Sequence, residues 1–518
     1  MNDNNQVQIP PDAGGSFLGH PKGLYVCFAT ELWERFSFYG MKYLLLLYLT
    51  KYHLFVDEAG YDVLGAYAGL VYAMPVIGGM LADRYLGMRK AVMFGGSLLV
   101  LGHLGMAIEG TQAVMQNGAV VRDEGALQIF YFSLALIIMG VGFLKPNIST
   151  IVGRLYGEKD PRRDSGFTIF YMGINTGSFF ATILCGWLGE TYGWRYGFGA
   201  AGIGMILGLI TFTWGQRYLQ GKAEPANPVL LKEKVFAGLS REWLIYLGAI
   251  AGLFLVWRLV QFNWLVHDIL VGLSLVVLLG LAWFLAKHCT PVERHRMLVL
   301  IALIISTVVF WALFEQSAAS MTLFADRIID RDLGFMTVTA AQVGSLNALF
   351  IMTIAPLFAW LWTSLAKRGW EPSTPVKFAL GIVQAGLGFG ALVIGAQFPN
   401  AAGKVAIIWM VLAYLLHTTG ELCLSPVGLS AVTKLSVPRV VGVMMGAWFL
   451  ATAYAELVAA QISKLAAIKT DAGVVTDIVA ALGTYTELFS KLLWIGLGVG
   501  LVMLIVSPFL RRGMHGIH

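Results

Sequence analysis

Long apolar runs, broken by short charged or Gly- and Pro-containing segments, repeat from one end of the chain to the other. They fall near residues 24–50, 62–82, 88–109, 127–154, 166–189, 196–217, 243–260, 264–286, 297–325, 339–366, 375–397, 403–433, 440–468 and 485–510. A helix needs about 20 mostly apolar residues to cross the hydrocarbon core of a bilayer, so the pattern predicts fourteen transmembrane helices. The runs are continuous and do not alternate over stretches of about 10 residues, which excludes an outer-membrane barrel. The expected fold class is an all-α polytopic membrane protein.

The polar breaks alternate in charge. One set carries Arg84, Arg89 and Lys90; Arg154, Lys159, Arg162 and Arg163; Arg217, Lys222, Lys232 and Lys234; Arg294 and Arg296; Lys367 and Arg368; Lys434 and Arg439; and Arg511 and Arg512. The other set is thinner and more acidic, with Asp57, Glu58, Asp62, Asp123, Glu124, Asp326, Asp330 and Asp332. Basic loops stay on the cytoplasmic side, which predicts both termini in the cytoplasm. Residues 1–23, with Pro10, Pro11, Gly14 and Gly15, lack the basic start and short apolar core of a cleaved signal and are expected to form a cytosolic tail. Gly221 to Arg241, with Pro225, Asn227, Pro228 and several lysines, reads as a linker. The expected organisation is a six-helix bundle over 24–220, a linker with two extra helices over 221–290, a second six-helix bundle over 291–510 and a cytosolic tail over 511–518.

Composition agrees. Of 518 residues, 57% are hydrophobic and 13% charged, against about 25% charged in soluble proteins, and the mean hydropathy is +0.71. The net charge of +6 sits in the short basic loops, so the positive-inside rule accounts for it without a nucleic-acid partner. The 60 glycines suit close helix packing. Cys27, Cys185, Cys289 and Cys423 lie in or beside apolar runs without metal-ligand spacing. No metal-ligand cluster, nucleophile elbow or nucleotide-binding glycine motif appears, so neither an enzyme nor a cofactor is expected.

Within the first run, Glu31, Glu34, Arg35 and Lys42 break the apolar pattern. Charges at such depth cost at least ~2.5 kcal/mol each and persist mainly where they face a bundle interior or a water-filled path. With Phe38 and Tyr39 they recur at three- and four-residue spacing and so share one helix face. The two carboxylates on that face repel each other, and a proton relieves that repulsion. Elsewhere the spans hold few ionisable side chains, chiefly Lys145, Glu315, Glu421 and Glu456, with His103 and His417.

The arrangement of six, two and six helices resembles the major facilitator architecture with an inserted hairpin, in which substrate sits between the two halves near the midplane. Gly79-Met-Leu-Ala-Asp-Arg-Tyr-Leu-Gly-Met-Arg-Lys90 is similar to that superfamily's loop between its second and third helices, where an acidic residue and the basic residues after it form charge pairs that lock the cytoplasmic side. Glu31-Leu-Trp-Glu-Arg-Phe-Ser-Phe-Tyr-Gly40 matches the E-x-x-E-R-F-x-x-Y-G motif of proton-coupled oligopeptide transporters. Gly142-Phe-Leu-Lys-Pro-Asn-Ile148, Phe170-Tyr-Met-Gly-Ile-Asn-Thr-Gly177, Phe310-Trp-Ala-Leu-Phe-Glu-Gln316 and Glu421-Leu-Cys-Leu-Ser-Pro426 resemble later motifs of the same family, in its order.

The resemblance implies a symporter of di- and tripeptides driven by protons, working by alternating access in the cytoplasmic membrane, for which a single copy suffices. A dipeptide is a zwitterion of fixed backbone spacing. Arg35 and Lys145 suit its carboxylate, the first by a bidentate fork and the second as a point charge. Glu421 suits its amino group, with Asn175 and Asn347 completing the hydrogen bonds. Tyr39, Tyr72, Trp311 and Trp448 are expected to line side-chain pockets, with Lys42 and Ser425 also at the substrate site. Proton coupling is assigned to Glu31, Glu34, Arg35 and Glu315. The family implies a latch of Lys42 with Glu315 on the outer side and of Lys145 with Glu421 on the inner side.

Lys42 departs from the family's usual arginine; it keeps the charge but loses the fork. Gly65 falls near the place of a histidine found in mammalian relatives, which leaves coupling to glutamates. The short connection between Gln397 and Gly403 has no room for the large extracellular insert of animal relatives and points to a bacterial type. Glu456 reads as a packing or interhelical hydrogen-bonding residue, and His103 and His417 as satisfied polar side chains. Other readings are transport of another solute, such as nitrate or a drug-like molecule, and a peptide sensor that does not transport.

Overall fold

The computed structural model describes residues 15–157 and 160–517, apart from the side chains of residues 426 and 429. Lys159 and most of the N-terminal tail, with Pro10, Pro11 and Gly14, lie outside the described residues. Fourteen long helices follow one another: α1 (Lys22–Leu47), α2 (Asp57–Leu81), α3 (Met88–Met106), α4 (Glu124–Leu155), α5 (Arg163–Tyr192), α6 (Trp194–Gly215), α7 (Arg241–Gln261), α8 (Asn263–His288), α9 (Pro291–Phe314), α10 (Ser345–Lys367), α11 (Thr374–Gly395), α12 (Ile408–Leu435), α13 (Val441–Ser463) and α14 (Ile478–Gly513).

By length and hydropathy alone twelve segments qualify as membrane-crossing, and α1 and α3 do not. The first carries the charged stripe and the second opens on Arg89 and Lys90. Both pack against helices that do qualify, α1 on α5 and α6, α3 on α4 and α6. Fourteen crossings therefore stand, and the chain is a multi-pass membrane protein.

Local chemistry sets several starts. Asp123 caps α4, Ser240 caps α7, Asp477 caps α14, and Thr290 with Glu293 forms a capping box on α9. The run expected from 403 becomes helical only at Ile408, because Val405 and Ala406 first pair in parallel with Ile329 and Asp330. At its far end α9 loosens into a 3₁₀ turn over Glu315–Ala318, breaks at Ala319 and resumes as Ser320–Arg327. The polar groups there are satisfied locally: Gln316 donates to the Ala459 carbonyl at 3.0 Å, and Ser463 donates to Gln316 at 2.8 Å. Non-helical backbone at membrane depth is tolerated where it is buried in protein.

The first six helices form one bundle and the last six another. In the first, α2 and α4 touch backbone to backbone, since a Cβ on Gly78 would collide with the Gly142 carbonyl. In the second, α11 packs on α12 and α14, and α9 on α13. The bundles meet along α2 with α13 and α5 with α10. The hairpin of α7 and α8 lies beside the first of these seams, with α7 on α4 and α8 on both α2 and α13.

Candidate functional site

The charged face of α1 is buried between the bundles. Arg35 directs Nε and Nη2 at the two oxygens of Glu34, the second contact at 2.6 Å, and Nε also lies 3.3 Å from Glu31 Oε1 one turn away. Its guanidinium rests 4.8 Å from the Phe38 ring centroid. Much of the fork that suits a substrate carboxylate is thus occupied by Glu34. Glu31 Oε2 is buried and has no hydrogen-bond partner among the described residues.

Two turns further on, Lys42 Nζ lies 2.8 Å from Glu315 Oε2 and 3.1 Å from Glu456 Oε1. Glu315 sits where α9 loosens, and Glu456 on α13. The cation comes from the first bundle and both anions from the second. Glu456, expected to pack or to hydrogen-bond between helices, accepts from Lys42 across the two bundles.

Lys145 is half-buried on α4, its ammonium 4.6 Å from the Tyr72 ring centroid. On the other bundle Asn347 donates to Glu421 Oε2 at 3.1 Å and approaches Thr418 Oγ1 at 3.1 Å. Among the described residues Lys145 and Glu421 do not form an ion pair, so the expected inner latch is not made in this arrangement. Tyr39 is half-buried between the two sets of charges, within electrostatic range of Arg35, Lys42, Glu315 and Glu421. Asn175 is buried and bonds the Tyr171 carbonyl of its own helix at 3.1 Å. Trp311 is half-buried against Phe310 and Phe314. Trp448 is buried, with Gly428 so close that a Cβ there would strike its ring. Ser425 is half-buried on α12.

A second belt of charges ties the bundles together on the side of the acidic loops. Asp57 and Arg327 form a buried ion pair at 2.7 Å, Lys51 meets Asp326 at 2.8 Å, and Lys464 meets Asp62 at 2.5 Å. Glu190 accepts the Ala341 N–H at 2.8 Å at the foot of α10. Among the described residues, the ion pairs that join the two bundles all lie on or toward this side. Sequence marked Asp57, Asp62 and Asp326 only as loop charges, because nothing along the chain says which opposite charge each will meet.

The basic loops behave differently. Arg89 pairs with Glu224 of the linker, Lys90 with Glu242 of α7 at 2.5 Å, and Arg154 reaches Asp83 at 4.0 Å. The first two contacts tie the linker and hairpin to the first bundle, the third joins α4 to the Gly79–Lys90 loop, and none of the three reaches the second bundle. His417 bonds the Ala385 carbonyl at 3.0 Å through Nε2, whereas among the described residues its Nδ1 and both ring nitrogens of buried His103 lack a partner, so His103 departs from the satisfied state expected of it.

The model of the POT family matches residues 89–488. The chain belongs to the POT family. Among relatives, an uncharacterized transporter of Bacillus subtilis (strain 168) is 39% identical over 99% of this chain and 98% of its own length. A peptide transporter of Yersinia enterocolitica is 36% identical, covering 88% and 89%. A di-/tripeptide transporter of Lactococcus lactis is 34% identical, covering 96% and 97%. Among solved structures, a peptide transporter POT in complex with sulfate superposes with a TM-score of 0.81 at 34% identity, over 98% of this chain and 100% of that one. A POT family transporter in complex with 5-aminolevulinic acid gives 0.79 at 30%, over 97% and 99%. The full-length relatives extend the likeness over α1 and α2, which precede the family-model match.

Proposed function

We propose that this POT family member imports di- and tripeptides together with protons across the cytoplasmic membrane by alternating access, with both termini in the cytoplasm. The observation that carries this reading is the division of charge between the bundles. Among the described residues Lys145 forms no ion pair on one, Glu421 stands on the other braced by Asn347, and the acidic-loop side is closed by ion pairs. A zwitterionic peptide has the complementary charges to bridge such walls, its carboxylate to Lys145 and its amino group to Glu421. Tyr39, Tyr72, Asn175, Trp311, Ser425 and Trp448 then border the ligand.

Glu31 and Glu34 on one face, with Glu315 at the latch, are the proton acceptors in this reading, and Arg35 sets the field around the first two. Protonating Glu31 or Glu34 removes half of the ion pair that each makes with buried Arg35, which shifts the balance between the two facing states. Glu421 disfavours a simple anion such as nitrate, which offers nothing for a negative wall to bind. The names of the Yersinia and Lactococcus relatives agree with a peptide substrate. Thermal-shift titration with di-, tri- and tetrapeptides tests the substrate class: di- and tripeptides raise the melting temperature, and a response to none of them removes the peptide reading.

A further inference from the structure

Lys42 faces more negative charge than it can neutralise. Glu315 and Glu456 both approach its ammonium, at 2.8 and 3.1 Å, and the three side chains are exposed by only 4, 11 and 5% respectively. The two carboxyl groups lie within hydrogen-bonding reach of each other. Among the described residues no other cation forms an ion pair with either carboxylate, and Lys145 of α4 rests instead on the Tyr72 ring, 4.6 Å from its centroid. Of the other groups facing them, Tyr39 and Tyr43 come from α1, Tyr67 and Tyr72 from α2, and Tyr414 and Glu421 from α12. Arg35, the nearest other cation on α1, is taken up by Glu34 and Glu31.

One ammonium balances one carboxylate, and a second buried anion beside it is strongly unfavourable at low dielectric. Two carboxyls held side by side escape this by sharing a proton, as one coupled unit. We propose that Glu315 and Glu456 together bind one proton as Lys42 docks against them to close the acidic-loop side. This rests on the symporter reading and deepens it.

The sequence of events follows from which bundle holds which charge. When the bundles part on that side, Lys42 leaves with α1, and two carboxylates of the second bundle remain together facing water. Their repulsion draws a proton from a hydronium ion, which leaves as water, and an O–H bond forms on one carboxyl. That acid donates to its neighbour, and Lys42 returns to a pair carrying a single negative charge, so the closed cluster is neutral. Loss of the proton to the opposite side leaves two carboxylates sharing one ammonium, and the uncompensated buried negative charge and the repulsion between the two anions loosen closure and favour reopening. A latch built on Glu315 alone would close with no proton bound. Glu456 makes closure depend on one.

Glu456→Gln keeps the shape and removes the acid, and Glu456→Asp keeps the acid. Infrared difference spectra between acidic and alkaline buffer, on purified protein in lipid nanodiscs, report a protonated-carboxyl band directly. The proposal expects a band in the unsubstituted protein that is lost in Glu456→Gln and in Glu315→Gln and kept in Glu456→Asp. The proton-to-peptide ratio, read from balanced gradients in proteoliposomes, should fall by one proton in Glu456→Gln and recover in Glu456→Asp. A band unchanged in both glutamine variants overturns the pair. Because the band needs no transport, peptide uptake indifferent to protons would sink the symporter reading without deciding the spectrum.

Discussion

Asp57 and Arg327 meet in a bidentate ion pair, each carboxylate oxygen 2.7 Å from a guanidinium nitrogen. Asp57 opens α2 in the first bundle, and Arg327 ends the segment that follows the break after α9 in the second. The pair is buried and braced, with the Ile468 N–H donating to Asp57 at 3.0 Å and Arg327 donating to the Tyr485 hydroxyl at 3.2 Å. It closes the same side as the Lys42 cluster.

Removing one member of such a pair leaves the other charge uncompensated, at a cost of about 3–5 kcal/mol. Asp57→Asn should therefore move the molecule toward the state open on the acidic-loop side. Spin-label distances between the ends of α2 and α9 on that side should lengthen, and Asp57→Asn with Arg327→Gln should shift less than Asp57→Asn alone. Unchanged distances in the single variant would show that the pair does not hold the closed state.

Glu31 and Glu34 differ in their surroundings, so their neutral variants should differ too. Glu34 clamps Arg35, and Glu34→Gln releases the guanidinium and disturbs peptide binding as well as coupling. Glu31 has an oxygen with no partner among the described residues, so Glu31→Gln should abolish proton-driven uptake while sparing part of peptide exchange. Counterflow of labelled dipeptide, compared with gradient-driven uptake, separates the two effects. Normal driven uptake in both variants would make the stripe a structural ion cluster.

Glu421 is assigned to the substrate amino group. Glu421→Ala should weaken binding of free dipeptides by about tenfold or more, equivalent to about 1.4 kcal/mol, and leave N-acetylated analogues nearly unaffected. Titration calorimetry with both ligand sets reads the difference. Equal losses would remove the assignment.

A loop carboxylate provides a pH control. Asp160, ahead of α5, is held by the Arg162 side chain at 2.8 Å and its backbone N–H at 2.9 Å, which lowers its titration from the usual 3.8 to about 2. A carboxyl lowered on folding contributes stability above its ordinary titration point and loses it as pH falls through the lowered one. Its contribution is therefore constant between about pH 5 and 8. Asp160→Asn should leave the pH profile of uptake in that range unshifted, whereas Glu456→Gln should move it. A shift with Asp160→Asn would place part of the pH dependence in the loops.

Much of the fold was legible because bilayer crossing imposes a length and polarity that a chain cannot hide. The apolar runs located every long helix, even α1 and α3, which hydropathy alone passes over. The charged stripe was legible for the opposite reason, as an energetic anomaly in a spanning helix. Partnership was not. The proximity of Glu456 to Lys42 and of Asp57 to Arg327 arises from bundle packing over hundreds of residues, and no local spacing encodes it. The unmade contact between Lys145 and Glu421 belongs to the one conformation the structure holds, and a sequence does not select a conformation.

Accumulation of a labelled dipeptide in proteoliposomes, with and without an imposed inward proton gradient, tests the central claim most directly. The account predicts concentrative uptake with the gradient, collapse on adding a protonophore, and loss of accumulation in Glu31→Gln. Uptake of equal rate and extent with and without the gradient would contradict it.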